Sequence, residues 1–310
     1  SSALTSFQRR QYGMRLWLAK NSFENPKPAS ITNIPFEIEE GSSISKISAD
    51  LEKTGLVKDG DRFRDYLIYK GFDSTIKAGT FIIRNTSSPF EIAEILRSDN
   101  PIASFYLYPG WRSEEAANGL IASGVQITSE DFMRVVNNPA LIHLPVGLEG
   151  ISSLEGFLFP GSYEIPKDAT VEEVTRLMLD RFESEAMPSI NNYSASTGLT
   201  TSEIVTMASI IQRESLQSGE FATIASVFYN RLAIGMKLET DPTVQYALGY
   251  DKKSNSWWKT PLTLEDLGIQ SNFNTYVNYG LPPHPIASPD IDAILAVLQP
   301  ESTSYYFFQA

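Results

Sequence analysis

Residues 199–215 read Leu199-Thr-Thr-Ser-Glu-Ile-Val-Thr-Met-Ala-Ser-Ile-Ile-Gln-Arg-Glu-Ser215. Thr200 and Glu203 have the spacing of a capping box, in which hydroxyl and carboxylate each take a backbone N–H at a helix start. The stretch therefore predicts a helix from about residue 200 to about Leu216. At about 100° per residue, Ile204, Met207, Ala208, Ile210 and Ile211 define one apolar arc. Glu214 and Ser215 fall on that arc, Gln212 sits at its edge and Arg213 points away. Glu214 then faces inward at the end of a buried helix. Burial penalises the charged form and raises a carboxyl pKa, which suits a general acid working near neutral pH. The same position also suits an ion pair with an arginine such as Arg231, and the pattern alone does not choose between the two.

Working outward, a helix is expected at 220–233. Thr240-Asp-Pro starts another, with Pro242 in its first turn. Residues 240–287 are loop-rich and carry Trp257, Trp258, Asn274, Tyr276 and several prolines. A last helix at 289–298 precedes a strand from Tyr305 to Phe308. On the N-terminal side lie a long helix at 170–186, an aromatic and glycine-rich segment from Leu154 to Tyr163, and helices at 113–122 and 129–137. A strand at 102–108 ends at Pro109-Gly110. Residues 36–98 read as a separate module. Phe36-Glu-Ile-Glu alternates as a strand, Ser43 caps a helix through Ile44, Ile47 and Leu51, a second helix runs from Asp61 to Tyr69, a second strand covers Ala78 to Arg84, and Pro89 to Leu96 is helical. Residues 1–35 form a lead-in. There Arg9, Arg10, Arg15 and Lys20 surround Tyr12, Leu16, Trp17 and Leu18, as in a short amphipathic helix at a membrane surface, a helix packed on its own domain, or a linker. Pro26, Pro28 and Pro35 then interrupt regular structure. The expected fold class is α+β: a small β-α-α-β module followed by a larger mixed α+β domain at 102–310.

Composition narrows the function. A formal charge of −12 over 310 residues repels phosphate backbones, so nucleic acid is not an expected partner. There is no cysteine, which removes thiol nucleophiles, thiolate zinc sites and disulfides. Two isolated histidines, His143 and His284, make a serine triad or a His-rich metal site hard to build. No phosphate-binding glycine loop precedes a helix. Carboxylates remain as the acid–base groups, and no metal or cofactor is implied. No run of about 18 apolar residues is present, and the chain starts at Ser1, so any native signal or anchor is expected upstream.

Several motifs, in order, resemble the endolytic murein transglycosylases (the MltG/YceG-like family). They are Leu154-Glu-Gly-Phe-Leu-Phe-Pro160, Ala208-Ser-Ile-Ile-Gln-Arg-Glu-Ser215, Ala225 to Tyr246, Asn274-Thr-Tyr276 and Gly280-Leu-Pro-Pro-His-Pro-Ile286. The resemblance covers about residues 36–308. The chain departs from the pattern at Gln212, where relatives usually carry a second Glu, and at Gly161-Ser162, in place of Asp-Thr, where a contact is expected to be lost. Relatives also commonly continue past the final strand, whereas this chain ends at Ala310.

The resemblance implies an enzyme that cleaves the β-1,4 bond between N-acetylmuramic acid and N-acetylglucosamine without water, leaving 1,6-anhydro ends. It implies Glu214 as catalytic acid and base, with Glu155, Ser215, Asn230, Asp241, Thr243, Gln245, Tyr246, Asn274 and Tyr276 as substrate-binding residues. Glu155 is also a candidate to orient Glu214 or to pair with Arg231, and Asp241 and Asn274 to cap helices. The first module resembles a LysM-like glycan-binding unit, though a structural or docking role fits its pattern equally. The implied partners are peptidoglycan strands and a peptidoglycan synthase. The implied location is the cell membrane, single-pass, with the catalytic domain outside. A non-catalytic peptidoglycan-binding protein and a hydrolytic muramidase stay open as alternatives. Product mass separates them, because anhydro ends weigh one water less than hydrolysed ends and a binder makes neither.

Overall fold

A computed structural model describes residues 4–18, 32–97, 102–215 and 217–308. The chain divides into two compact units, Ser1–Ala103 and Ser104–Ala310.

In the first unit, α1 (Ser6–Leu18) precedes β1 (Asn33–Ile38), α2 (Ile44–Lys53), α3 (Gly60–Lys70), β2 (Gly79–Arg84) and α4 (Pro89–Ile95). The strands pair antiparallel with Phe36 opposite Phe81. Ser43 caps α2 through the Lys46 N–H, and Gly71, at φ 74°, closes α3 in the left-handed conformation. Alternation along both strands turns Phe36, Ile38, Phe81 and Ile83 inward onto Ile47, Leu51, Phe63 and Leu67. Each of these large side chains contributes roughly 1.5–3 kcal/mol by leaving water. Helix α1 packs on α3, with Arg15 Nη1 3.8 Å from the buried Asp65 carboxylate. Of the readings of the lead-in, a helix packed on its own unit is the one seen. Pro35 does not interrupt structure: it lies within β1, opposite Ile82, where a two-stranded sheet leaves an outer edge that needs no N–H. Lys20, Pro26 and Pro28 lie outside the described residues.

Strand β3 (Ile102–Leu107) leads from the first unit into the second and hydrogen-bonds to β4 (Gly161–Pro166). Between them lie α5 (Ser113–Ala122) and α6 (Ser129–Val136). After them come α7 (Val171–Glu185), α8 (Met187–Thr197), α9 (Thr201–Glu214), α10 (Phe221–Ala233), α11 (Asp241–Leu248), α12 (Leu264–Leu267) and α13 (Ile291–Leu298). Helix α9 is the centre of this unit and packs against α8, α10, α11 and α13. Its capping box forms as the spacing predicts, with Glu203 N–H donating to Thr200 Oγ1 and Thr200 N–H to Glu203 Oε2. Every residue from Ile204 to Ile211 is buried, so over these turns the helix has no outward face. Its two polar members are satisfied inside: Thr206 Oγ1 donates to Ser202 O, and Ser209 Oγ donates to Thr206 O while accepting from the Ile286 N–H.

The architecture is the mixed α+β class expected. Two elements differ from expectation. Helix α8 has no clear apolar period in the sequence and is rich in Asn, Ser and Thr; it forms because Met187 and Ile190 are buried, with the helix packed against α7 and α13. The expected strand at Tyr305–Phe308 is irregular. Its carbonyls are taken by side chains of α10, with Asn230 Nδ2 donating to Thr303 O and Tyr305 O and Arg231 Nε to Tyr306 O. Those bonds replace a ladder, and no strand lies alongside among the described residues. At the Gly161-Ser162 departure, the Arg181 guanidinium occupies the space a Cβ at residue 161 would need, with its Cζ 2.4 Å from that position, and donates to Ser162 O at 3.0 Å. No helix among the described residues is long and apolar enough to cross a membrane.

Candidate active site

Glu214 is the last residue of α9 and part-buried. Its pKa is pushed up to about 7, first by burial and then by the nearby Asp241 carboxylate, against the opposing charge of Arg231. Its place at the carboxyl end of a long helix adds to this, because unpaired carbonyls there carry partial negative charge. Among the described residues the Glu214 carboxyl has neither a hydrogen-bond nor an ion-pair partner in the protein. The Arg231 alternative is accordingly not realised. The Arg231 guanidinium is buried and held by the carbonyls of Leu238 at 2.5 Å and Tyr306 at 2.7 Å, under the ring of Phe307. It supports Glu214 through space only.

Asp241 begins α11, and Pro242 sits in the first turn as expected. The Asp241 carboxylate is exposed and accepts the Tyr276 hydroxyl at 2.7 Å. The Tyr276 pKa is raised by burial first, then by Asp241, Glu214 and Glu239. Glu214, Asp241 and Tyr276 thus form one electrostatic group, brought together from the end of α9, the start of α11 and the loop after α12. Thr243 and Asn274 lie beneath it. Thr243 is fully buried, and its hydroxyl bonds Thr240 O and Thr275 Oγ1. Asn274 is equally closed to solvent and donates to Leu267 O and Ile269 O, tying down the end of α12. Both hold the backbone that presents Asp241 and Tyr276 rather than pointing into open space.

Glu155 belongs to a different cluster. It is 2% exposed, accepts the Ser113 N–H at the start of α5, and lies 3.5 Å from the Tyr246 hydroxyl. Burial and then Glu114 raise its pKa to about 8, against the opposing Ser113 N–H and Arg112. It pairs with neither Arg231 nor Glu214. Arg112 makes a bidentate bond to Glu114 and stacks on Tyr246 at 4.1 Å and Trp257 at 4.7 Å. Gln245 donates to Lys259 O and Thr260 Oγ1, anchoring the tryptophan loop. Asn230 fastens the C-terminal segment, as above. Ser215 donates to Glu220 Oε2 at 2.6 Å and shapes the turn after Glu214. Gln212 accepts the Asp290 N–H at the start of α13.

Of the predicted site residues, the structure groups Glu214, Asp241 and Tyr276, sets Thr243 and Asn274 beneath them and Ser215 in the turn after Glu214, and places Glu155, Tyr246, Gln245 and Asn230 in other contacts. Sequence reasoning missed Arg112, Ser113, Glu115 and Phe273, which surround Tyr246 and the tryptophans. Their only signal was an aromatic pair, Trp257-Trp258, with no partner visible nearby. Arg213, expected to point away from the apolar arc, has its guanidinium 3.9 Å over the Trp258 ring, a contact the spacing did not reveal. Chemically, an unpartnered carboxyl whose pKa is pushed up to about 7, beside the Asp241 side chain and the Tyr276 phenol, can donate and then accept a proton.

The YceG-like family model matches residues 36–310. An endolytic murein transglycosylase of Bacillus subtilis is 30% identical over 308 residues, covering 94% of this chain and 82% of the relative. One from Streptococcus pneumoniae is 31% identical over 295 residues, covering 87% of this chain and 53% of the relative. The chain spans about half the length of the pneumococcal relative. A crystal structure of a YceG-like protein from Listeria monocytogenes aligns with a TM-score of 0.59 at 28% identity, over 91% of this chain and 94% of that one.

Proposed function

Because this chain belongs to the YceG-like family, we propose that it is an endolytic peptidoglycan transglycosylase in which Glu214 serves as both acid and base. The observation that carries the reading is the free, part-buried Glu214 carboxyl with its pKa near 7. Protonated, Glu214 delivers its proton to the glycosidic oxygen as the bond from that oxygen to C1 breaks. The neighbouring acetamido group of the substrate stabilises the cationic C1, as in substrate-assisted glycosidases. Now ionised, Glu214 takes the proton from the muramic acid 6-hydroxyl, whose oxygen closes on C1 to give the 1,6-anhydro ring. The net change moves one proton from O6 to the leaving oxygen and consumes no water. Burial first, and then Asp241, raise the Glu214 pKa so that a protonated fraction is present near neutral pH, and the Tyr276 hydroxyl donates to the Asp241 carboxylate. The β-α-α-β order of the first unit supports a LysM-like glycan-docking role at 36–98, beside a catalytic domain at 102–310.

The test is Glu214→Gln, followed by thermal midpoint and product mass on the same sample. Glutamine keeps the size but carries no transferable proton, so anhydro ends should fall by at least about 10²–10⁴. Stability should hold or rise, because a buried amide costs less than a buried carboxylate. A stable variant that still makes anhydro ends would end the proposal for Glu214. Wild-type products one water heavier would replace it with a muramidase. For location, the proposal is the murein outside the cytoplasmic membrane, with a membrane tether and a synthase partner in the full-length protein. A full-length gene product with no apolar segment upstream of Ser1 would overturn the tether.

A further inference from the structure

Arg213 immediately precedes Glu214 and is not used by the chemistry above. Its side chain is part-buried, with Cζ 3.9 Å from the centre of the Trp258 ring. Its Nε is closed to solvent and has no hydrogen-bond partner, and Nη1 reaches only Gly110 O, at 3.5 Å. The acid nearest in its electrostatics, Glu115, is engaged elsewhere: its carboxylate accepts the Arg112 N–H at 3.0 Å and the Trp258 indole N–H at 2.9 Å. The backbone is shaped to admit this side chain. Gly110 has φ 79°, and a Cβ there would stand 3.2 Å from Arg213 Cδ and 3.3 Å from Nη1. Trp258 and Gly110 thus hold a cation in place, yet among the described residues no carboxylate pairs with it.

Taking a guanidinium partly out of water without a counter-charge costs free energy. Nη2, which has no hydrogen-bond partner among the described residues, is left to bond a carboxylate. Arg213 and Glu214 are consecutive in the last turn of α9 and project about 100° apart, which suits Arg213 to a substituent flanking the bond rather than to the bond itself. We propose that Arg213, seated on Trp258 and Gly110, binds a carboxylate carried on the C3 substituent of the muramic acid at the cleavage site. This rests on the transglycosylase reading and names a specificity determinant within it. That carboxylate has two sources: the lactyl group itself where the strand has lost its peptide, or the stem peptide where it has not.

The experiment measures binding by calorimetry in the Glu214→Gln protein, alone and combined with Arg213→Met or Arg213→Lys. Methionine keeps the apolar contact with Trp258 and removes the charge. The ligands are peptide-bearing glycan strands, strands stripped of peptide by an amidase, and chitooligosaccharides, which carry no carboxylate. Arg213→Met should weaken binding of the carboxylate-bearing ligand about tenfold to a hundredfold, the range for a charge-assisted bond, and leave chitooligosaccharide binding within about twofold. Arg213→Lys should recover part of the loss. Loss confined to stripped strands assigns the lactyl carboxylate; loss confined to peptide-bearing strands assigns the stem. Equal loss on all three ligands, or none, overturns the proposal. A second arm needs no variant at Arg213: converting the strand carboxylates to amides should weaken binding to the Arg213-containing protein by the same factor, and unchanged affinity overturns the proposal even if Arg213→Met fails to fold. Failure of the protein to bind any muramic acid strand would instead refute the transglycosylase reading.

Discussion

At the scale of single residues, burial sets most of the rise in the Glu214 pKa, and two neighbours of opposite sign adjust it. Asp241 raises its pKa and Arg231 lowers it. Arg231 is fixed by two backbone carbonyls, whereas Asp241 is held by one phenol, so Asp241 is the simpler group to alter. Asp241→Asn removes a negative charge and makes ionisation of Glu214 easier, so its pKa falls from about 7. The protonated acid then becomes scarce at lower pH, and the alkaline limb of the pH–rate profile should move down. Rates of anhydro-product release across pH 5–9 would show this. An unmoved limb would mean that Glu214 is not the group that must be protonated.

At the scale of elements, the ends of α9 and α10 have separate duties. The capping box at Thr200 lies at the start of a helix of 14 residues, roughly 20 Å from Glu214. Thr200→Ala should cost about 1 kcal/mol of stability with turnover unchanged in folded protein, measurable by denaturant unfolding beside a rate assay. Asn230 instead ties α10 to the C-terminal segment through two carbonyls. Asn230→Ala should cost about 1–3 kcal/mol, the sum of two modest net hydrogen bonds. If Asn230 contacts the glycan directly, Asn230→Ala would instead weaken glycan binding with little change in thermal midpoint.

At the scale of the whole molecule, two buried carboxyls couple stability to pH. Glu155 titrates near pH 8 and Glu214 near pH 7 in the folded protein, against an ordinary value of 4.5. Between these values the folded state holds more protons on these two groups than the unfolded one, so their contribution to stability is full below about pH 4.5 and falls as pH rises toward 8. Above that the two groups add no further slope. Glu155→Gln retains an acceptor for the Ser113 N–H and removes the proton, so it should flatten the decline between pH 5 and 8. Thermal midpoints of both proteins across that range test it; parallel curves would mean that Glu155 is already ionised in the native state.

Local features of this protein were legible because they depend on residues close in sequence. The capping box of α9, the Ser43 cap, the glycine end of α3 and the proline start of α11 each need only a few contiguous side chains, and all appear where the spacing puts them. The position of Glu214 at the end of a buried helix was readable for the same reason, although α9 proved to be covered on every side rather than along one arc. What the chain alone left open was decided by contacts between distant segments. Glu155 could pair with Arg231, orient Glu214 or contact a sugar until the fold brought it to Ser113, 42 positions away. Arg213 was read only as pointing away from the apolar arc, and what meets it there, Gly110, 103 positions earlier, and Trp258, was set by the fold. The C-terminal segment has strand-like composition but no strand beside it, and the side chains of α10 took its carbonyls. A helical period fixes direction about one axis; which groups meet a side chain there is set by how separate helices pack, and no local pattern encodes that.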